Sequence, residues 1–157
     1  MNRIIVFCSL VTVSFSAMSD PYWWMKKDDY NILGLYVNAG SDCPFDEEDL
    51  MNLAEGEYLR ARIKPAGVTN NLMMTVDTLC MKIKNSDGSH GADAVNYNIF
   101  FTRRTYTPDE AWIRYGDITY RALYVVSEKH YPKKLMLNTI RDAVSEALTD
   151  YLKANME

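Results

Sequence analysis

The chain has two histidines, His90 and His130. His90 stands in the run Asn85-Ser-Asp-Gly-Ser-His-Gly-Ala-Asp, between Asp87 and Asp93 and close to Ser86 and Ser89. A serine, an imidazole and a carboxylate in one loop are the parts of a nucleophilic site or of a metal ligand set. They are also the residues a tight hairpin loop uses for Asx and glycine turns, and that reading is the simpler one. Asp46-Glu-Glu-Asp brings carboxylates together in a second place. Consecutive helical residues point in different directions, whereas glycosidase chemistry needs two carboxyl groups about 5–9.5 Å apart across a cleft. A negatively charged helix start accounts for the run better. No G-x-S-x-G, H-E-x-x-H, phosphate-loop or EF-hand spacing is present. The sequence therefore assigns no catalytic residue, no metal ligand and no cofactor.

The binding candidates are cationic and aromatic. Arg103 and Arg104 end one strand-like run and Arg114 begins the next. If those runs pair, three guanidinium groups gather at one end of a sheet and could meet an anion or an acidic partner; a solvated strand end with Asp109 and Glu110 nearby is the simpler account. Val95 to Arg103 alternates, with Val95, Tyr97, Ile99 and Phe101 in one phase and Asn96, Asn98, Phe100 and Thr102 in the other. Burying the first set turns the second outward, because a strand has a period of two. Phe100 then sits among hydrogen-bonding groups, with Thr119 and Arg121 expected beside it from the neighbouring strand. Aromatic and arginine anchors with a polar surround are typical of protein interfaces. Trp23 and Trp24 near the start of the body offer a further contact, or fold over Phe100 and hide it.

Residues 1–19, MNRIIVFCSLVTVSFSAMS, have the organisation of a cleaved export signal: Arg3, then an apolar stretch from Ile4 to Val13, then small residues. Cleavage before Asp20 or before Ala17 fits the small-residue rule, and the first is preferred. The apolar stretch is shorter than the roughly 20 residues a membrane span requires. Residues 20–157 are expected to form a single secreted domain. Cys8 leaves with the signal, so Cys43 and Cys80 remain and, in an oxidising compartment, pair most simply as one disulfide; two free buried thiols are the alternative. The chain carries 17 basic and 21 acidic residues, and loss of Arg3 leaves 16 − 21 = −5. An acidic balance argues against nucleic acid as the main partner, because phosphate binding needs concentrated positive charge. No Asn-x-Ser/Thr sequon follows the signal, which with the short signal favours a bacterial periplasm over an extracellular destination.

The elements that must position these residues follow from periodicity. Asn31 to Val37 reads as a strand ending at a turn cluster. Asp46 caps a helix whose stripe is Leu50, Leu53, Ala54, Tyr58 and Ala61, with Phe45 and Leu50 spaced as a hydrophobic staple. The helix is expected to stop near Arg62, before Pro65 and Gly67. Leu72 to Lys84 reads as a long strand with apolar residues in both phases, so it is central, bulged or covered on both faces. Thr107 to Trp112 reads as a turn. Arg114 to Ser127 is the last strand, with Ile118, Tyr120, Ala122, Tyr124 and Val126 in phase. Leu137, Ile140, Val144, Ala147 and Tyr151 mark a C-terminal helix.

The predicted order is β-α-β-β-β-α. Two amphipathic helices and one apolar sheet face make an α+β two-layer sandwich, with a mainly antiparallel sheet of about four strands and both helices on one face. In element order this resembles small periplasmic domains of outer-membrane assembly and translocation proteins, such as the N-terminal domain of TolB-type proteins. The functional expectation is a soluble exported binding protein, of inhibitor, immunity or envelope-assembly type, acting through its exposed sheet face on another envelope or secreted protein. A small secreted hydrolase with an unrecognised site is the alternative.

Overall fold

The computed structural model describes residues 22–68, 70–104, 112–127 and 132–156, with backbone alone at 112, 113, 115–119, 126, 127 and 132. The export segment with Cys8, the turn from Thr107 to Ala111, and His130 lie outside the described residues. Chain order is a short 3-10 turn (Trp23–Met25), β1 (Ile32–Ala39), α1 (Glu47–Arg60), β2 (Lys64–Ala66), β3 (Leu72–Lys84), β4 (His90–Arg104), β5 (Trp112–Ser127) and α2 (Pro132–Met156). The fold is α+β: the described residues form one five-stranded sheet in the order β2-β1-β3-β4-β5, with two helices. The sheet is mixed. β1 runs parallel to both β2 and β3, while β3, β4 and β5 form an antiparallel meander. Parallel neighbours need a crossover, and α1 supplies it between β1 and β2.

The expected number of strands falls short by β2. Its three residues contain Pro65, and by sequence the segment reads only as a helix terminator. Proline is tolerated there because β2 is an edge strand with a neighbour on one side alone. Alternation cannot be read in three residues, so only the pairing with β1 defines the strand.

Local chemistry sets α1. The Asp46 carboxylate accepts from the Asp49 backbone N–H at 2.9 Å, and the Asp49 carboxylate accepts from the Asp46 N–H at 3.2 Å, a reciprocal capping box. Phe45 and Leu50 are both buried, as the staple spacing requires. At the other end Arg62 adopts φ = 58°, a left-handed conformation that glycine usually supplies. The N–H of Ile63 donates to the carbonyl of Tyr58 and that of Arg62 to Leu59, so the last carbonyls are satisfied.

Both helices cover one face. Leu33, Leu35 and Val37 of β1, Leu72, Met74, Val76 and Cys80 of β3, and Val95, Tyr97, Ile99 and Phe101 of β4 form that face. Against it lie Leu50, Leu53, Ala54 and Tyr58 of α1, and Met136, Ile140, Val144, Ala147 and Tyr151 of α2. The phase predicted for β4 is the one observed. Tyr120 and Ala122 of β5 pack against this core, but Tyr124 stays well exposed at its margin, stacked on Tyr97 with ring centroids 6.2 Å apart. The Ile118 side chain, expected on the same face, is outside the described residues.

Candidate docking surface on the open sheet face

Among the described residues no helix lies on the opposite face of β3, β4 and β5, and its rows follow from the strand register. Thr75 lies beside Phe100; Asp77 beside Asn98 and, one strand further, Arg121. Leu79, Asn96 and Leu123 form the next row, then Met81, Ala94 and Val125, then Ile83 and Ala92. Large apolar side chains thus line up on β3 and on β5, with Ala92 and Ala94 between them. Leu79, Met81, Leu123 and Val125 are 60%, 55%, 62% and 60% exposed, and Ile83 is also exposed. A contiguous apolar patch of this kind on a small protein marks a contact site far more than isolated exposed leucines do. Arg121 is exposed next to it, and Asp77 is half-buried, its carboxylate accepting from the Asn38 side-chain amide at 2.7 Å.

Sequence reasoning missed these apolar residues as a site. The signal was present: β3 has apolar residues in both phases, and β5 runs Ala122-Leu-Tyr-Val-Val without a break. What alternation cannot show is that Leu79 and Leu123, 44 residues apart by 123 − 79, stand in one row.

Phe100, Asn98 and Arg121 do share the open face, as expected. The cation over the Phe100 ring is Arg114, 4.1 Å from the centroid, with its guanidinium also reaching the Asn98 side-chain oxygen at 3.4 Å. Arg121 instead faces Asn98 across the strand pair. The irregularity between Phe100 and Thr102, where β5 skips from Thr119 to Arg114, is what slides Arg114 onto the ring.

The three arginines do not converge. Arg103 is on the helix side of β4, and its guanidinium donates to the Trp24 carbonyl at 3.0 Å. Arg104 and Arg114 belong to the opposite phase, and the Arg104 backbone N–H donates to Asn71. Successive strand residues point to opposite faces, so neighbours in sequence cannot form one cluster.

The tryptophans separate in the same way. Trp24 is buried and meets Phe101 edge-on at 6.1 Å, on the helix face, so it covers the residue after Phe100 rather than Phe100 itself. Trp23 remains exposed. Asn155 of α2 holds this segment, accepting from the Lys27 N–H at 2.7 Å and donating to the Met25 carbonyl at 3.1 Å.

A cleft of about 640 Å³ opens between residues Lys26–Asp29, Arg103 and the end of α2. The Lys27 ammonium inside it donates to the Ile32 carbonyl at 2.6 Å and to the Asn70 side chain at 3.0 Å, and burial pushes its pKa down. Its polar groups thus hold the N-terminal segment in place. In the His90 loop, the Ser89 hydroxyl donates to Asp87 at 2.6 Å and the imidazole faces Asp93 at 3.3 Å. Serine and histidine bond to different carboxylates, which is turn chemistry rather than a nucleophile–base pair. Asp49 completes its cap with Lys133 at 2.6 Å, and these bonds lower its pKa. Among the described residues no group of three or more His, Cys, Asp or Glu is placed to hold a metal ion, and no helix is long and apolar enough to cross a membrane.

Fold and surface together define an α+β domain with one sheet face closed by helices and the other open. Comparison of the sequence with protein-family models and with curated proteins finds no match. Among solved structures, the chain is similar to the dodecamer of a leucine-to-methionine variant of PelC from Paraburkholderia phytofirmans, at 9% identity and a TM-score of 0.44, over 72% of this chain and 83% of that one. It is also similar to the rare lipoprotein B from Shewanella oneidensis, at 14% identity and a TM-score of 0.33, over 77% and 92% of the two chains. A minor lipoprotein from Acinetobacter baumannii matches at 11% identity and a TM-score of 0.34, over 77% and 87%.

Proposed function

We propose that this chain is an exported, non-enzymatic binding protein of the bacterial envelope, active as a single domain of residues 20–157 in the periplasm. It works by docking the open face of β3, β4 and β5 onto another protein surface. The observation that carries the reading is the row structure of that face: two exposed apolar ridges, Leu79-Met81-Ile83 and Leu123-Val125, beside the polar row of Asp77, Asn98 and Arg121. An apolar centre with an arginine at its margin is how interfaces are organised. The signal-like residues 1–19 and the Cys43–Cys80 bridge support an oxidising destination outside the cytoplasm.

Site-specific photocrosslinking in exporting cells tests it. A photoreactive residue at Leu123 or Met81 should yield discrete protein adducts, whereas one at exposed Glu146 on α2 should not. Absence of adducts from the open face, or equal yield from Glu146, refutes the reading. Turnover of an ester or glycan substrate by the purified protein would favour a secreted hydrolase instead.

A further inference from the structure

The geometry points to a second copy of this chain as the occupant of the open face, docked sheet to sheet about a two-fold axis parallel to β4. The inference rests on the reading of this face as a docking surface and names its partner. An occupant must cover two apolar ridges and offer an anion to Arg121, and a cation from it would add to the Asn38 bond that Asp77 already accepts. The face itself meets all of these needs. A two-fold axis running along β4 lays β3 of one copy over β5 of the other without changing position along the strands. The register then decides what meets what. Leu79 falls on Leu123 of the second copy, Met81 on its Val125, and Asp77 on its Arg121. Each contact occurs twice, as an isologous interface requires.

The central strand fits the same operation. Asn96 and Ala94 of β4 lie on the axis and meet their own copies; Asn98 lies there too, but its side-chain oxygen already holds Arg114, so the Arg114 cation over Phe100 marks the end of the contact. An asparagine side chain carries both a donor and an acceptor, so it can pair with its symmetry mate. Ala94 is small enough to let two sheets approach to about 10 Å. A two-fold perpendicular to the strands, centred on the Asn96 row, would instead set Arg121 against Val125 and Asp77 against Met81. That arrangement strips water from charges without pairing them. Pairing through the β5 edge would extend the sheet but leave both ridges in water, so edge contact does not explain the face.

Area sets the expected strength. Three strands about 4.8 Å apart, over the nine residues from Thr75 to Ile83 at about 3.4 Å each, give a flat footprint on the order of 400 Å² per copy. Two copies then bury on the order of 800 Å², below the roughly 1,000 Å² that stable specific interfaces clear, so the dimer is weak and concentration-dependent, with dissociation in the micromolar range, about 1–100 µM.

The test is charge exchange read by analytical ultracentrifugation on the oxidised protein. Wild type should move from the mass of one chain to that of two as concentration rises through this range. Arg121→Asp and Asp77→Arg should each weaken association at least about tenfold, the equivalent of about 1.4 kcal/mol. An equimolar mixture of the two variants should dimerise again, because each Asp then faces an Arg. Melting curves show whether each variant is folded; Leu123→Asp, at a position already 62% exposed, is the second disruptive variant if Asp77→Arg fails to fold. A wild type that stays monomeric, or a mixture that stays monomeric while both variants are folded, overturns the inference. Open-face crosslinks to a different protein from a monomeric wild type would overturn it while leaving the docking reading intact. No crosslink at all would overturn both.

Discussion

Removing the Cys43–Cys80 bridge should cost this protein a large part of its stability, through the unfolded chain. The two sulfurs are bonded, with Cα atoms 4.9 Å apart and a separation of 37 residues. Cys43 lies in the loop between β1 and α1, where its N–H donates to the Gly40 carbonyl; Cys80 is buried in β3. The crosslink joins the two ends of a segment containing α1, β2 and β3 from Leu72 to Cys80. For a closed loop of that length the chain-entropy model gives about 4 kcal/mol. The cavity left where the Cys80 sulfur was adds about 1 kcal/mol in a Cys43→Ala, Cys80→Ala variant. Typical domains are stable by only about 5–15 kcal/mol. At roughly 3–4 °C per kcal/mol for a chain of this size, the melting temperature should fall by about 15–20 °C. Urea unfolding followed by tryptophan fluorescence measures it, since Trp24 is buried in the native state. The slope of free energy on urea should rise in the variant, because the unlinked chain exposes more surface when unfolded. Intact mass should show the oxidised wild type lighter than its reduced form by two hydrogen atoms. A loss below about 1 kcal/mol with an unchanged slope would refute the argument, as would equal masses.

Ile99→Ala, at a fully buried position on the helix side of β4, should cost about 2–5 kcal/mol, whereas Asn98→Ala on the open side should cost about 0.5 kcal/mol or less. A larger loss at Asn98 in a denaturation series would mean that the two faces are inverted. Arg62→Gly should stabilise by about 1 kcal/mol, because the residue holds φ = 58° and glycine relieves the left-handed strain; a destabilised variant would mean that the Arg62 side chain matters more than its backbone. Burial is the main cause that raises the phenol pKa of Tyr58, Tyr120, Tyr151 and Tyr97 above that of free tyrosine. Their folded pKa values exceed the unfolded value of about 10, so the stability they contribute is complete below that pH and is lost as pH rises from there through the raised folded values. Absorbance titration should show delayed ionisation of these four while the fold persists, and ionisation of every tyrosine near pH 10 in folded protein would contradict their burial.

Local patterns carried much of this fold. Asp46, Phe45 and Leu50 mark the start of α1 within a short stretch, because capping and stapling are contacts between near neighbours. The alternation of Val95, Tyr97, Ile99 and Phe101 sets the buried face of β4, because pleating makes side-chain direction a matter of parity. The Cys43–Cys80 pairing followed from arithmetic once Cys8 was assigned to the signal. Partners distant in sequence were not legible. Parallel pairing of β1 with β3 and the three-residue β2 exist only as ladders between segments, and no residue within them announces the neighbour. Arg103 and Arg104 parted because the strand has two faces, and Trp24 found Phe101 rather than Phe100 for the same reason. The apolar patch is the plainest case. Residue types alone show Leu79 and Leu123 as hydrophobic strand positions; their meeting in one exposed row depends on two strand registers and on both helices packing against the other face. Composition and periodicity determined which segments are helix or strand and which side each wants to bury. Only the tertiary structure decided which apolar side stayed uncovered among the described residues, because α1 and α2 both pack against the same face of the sheet.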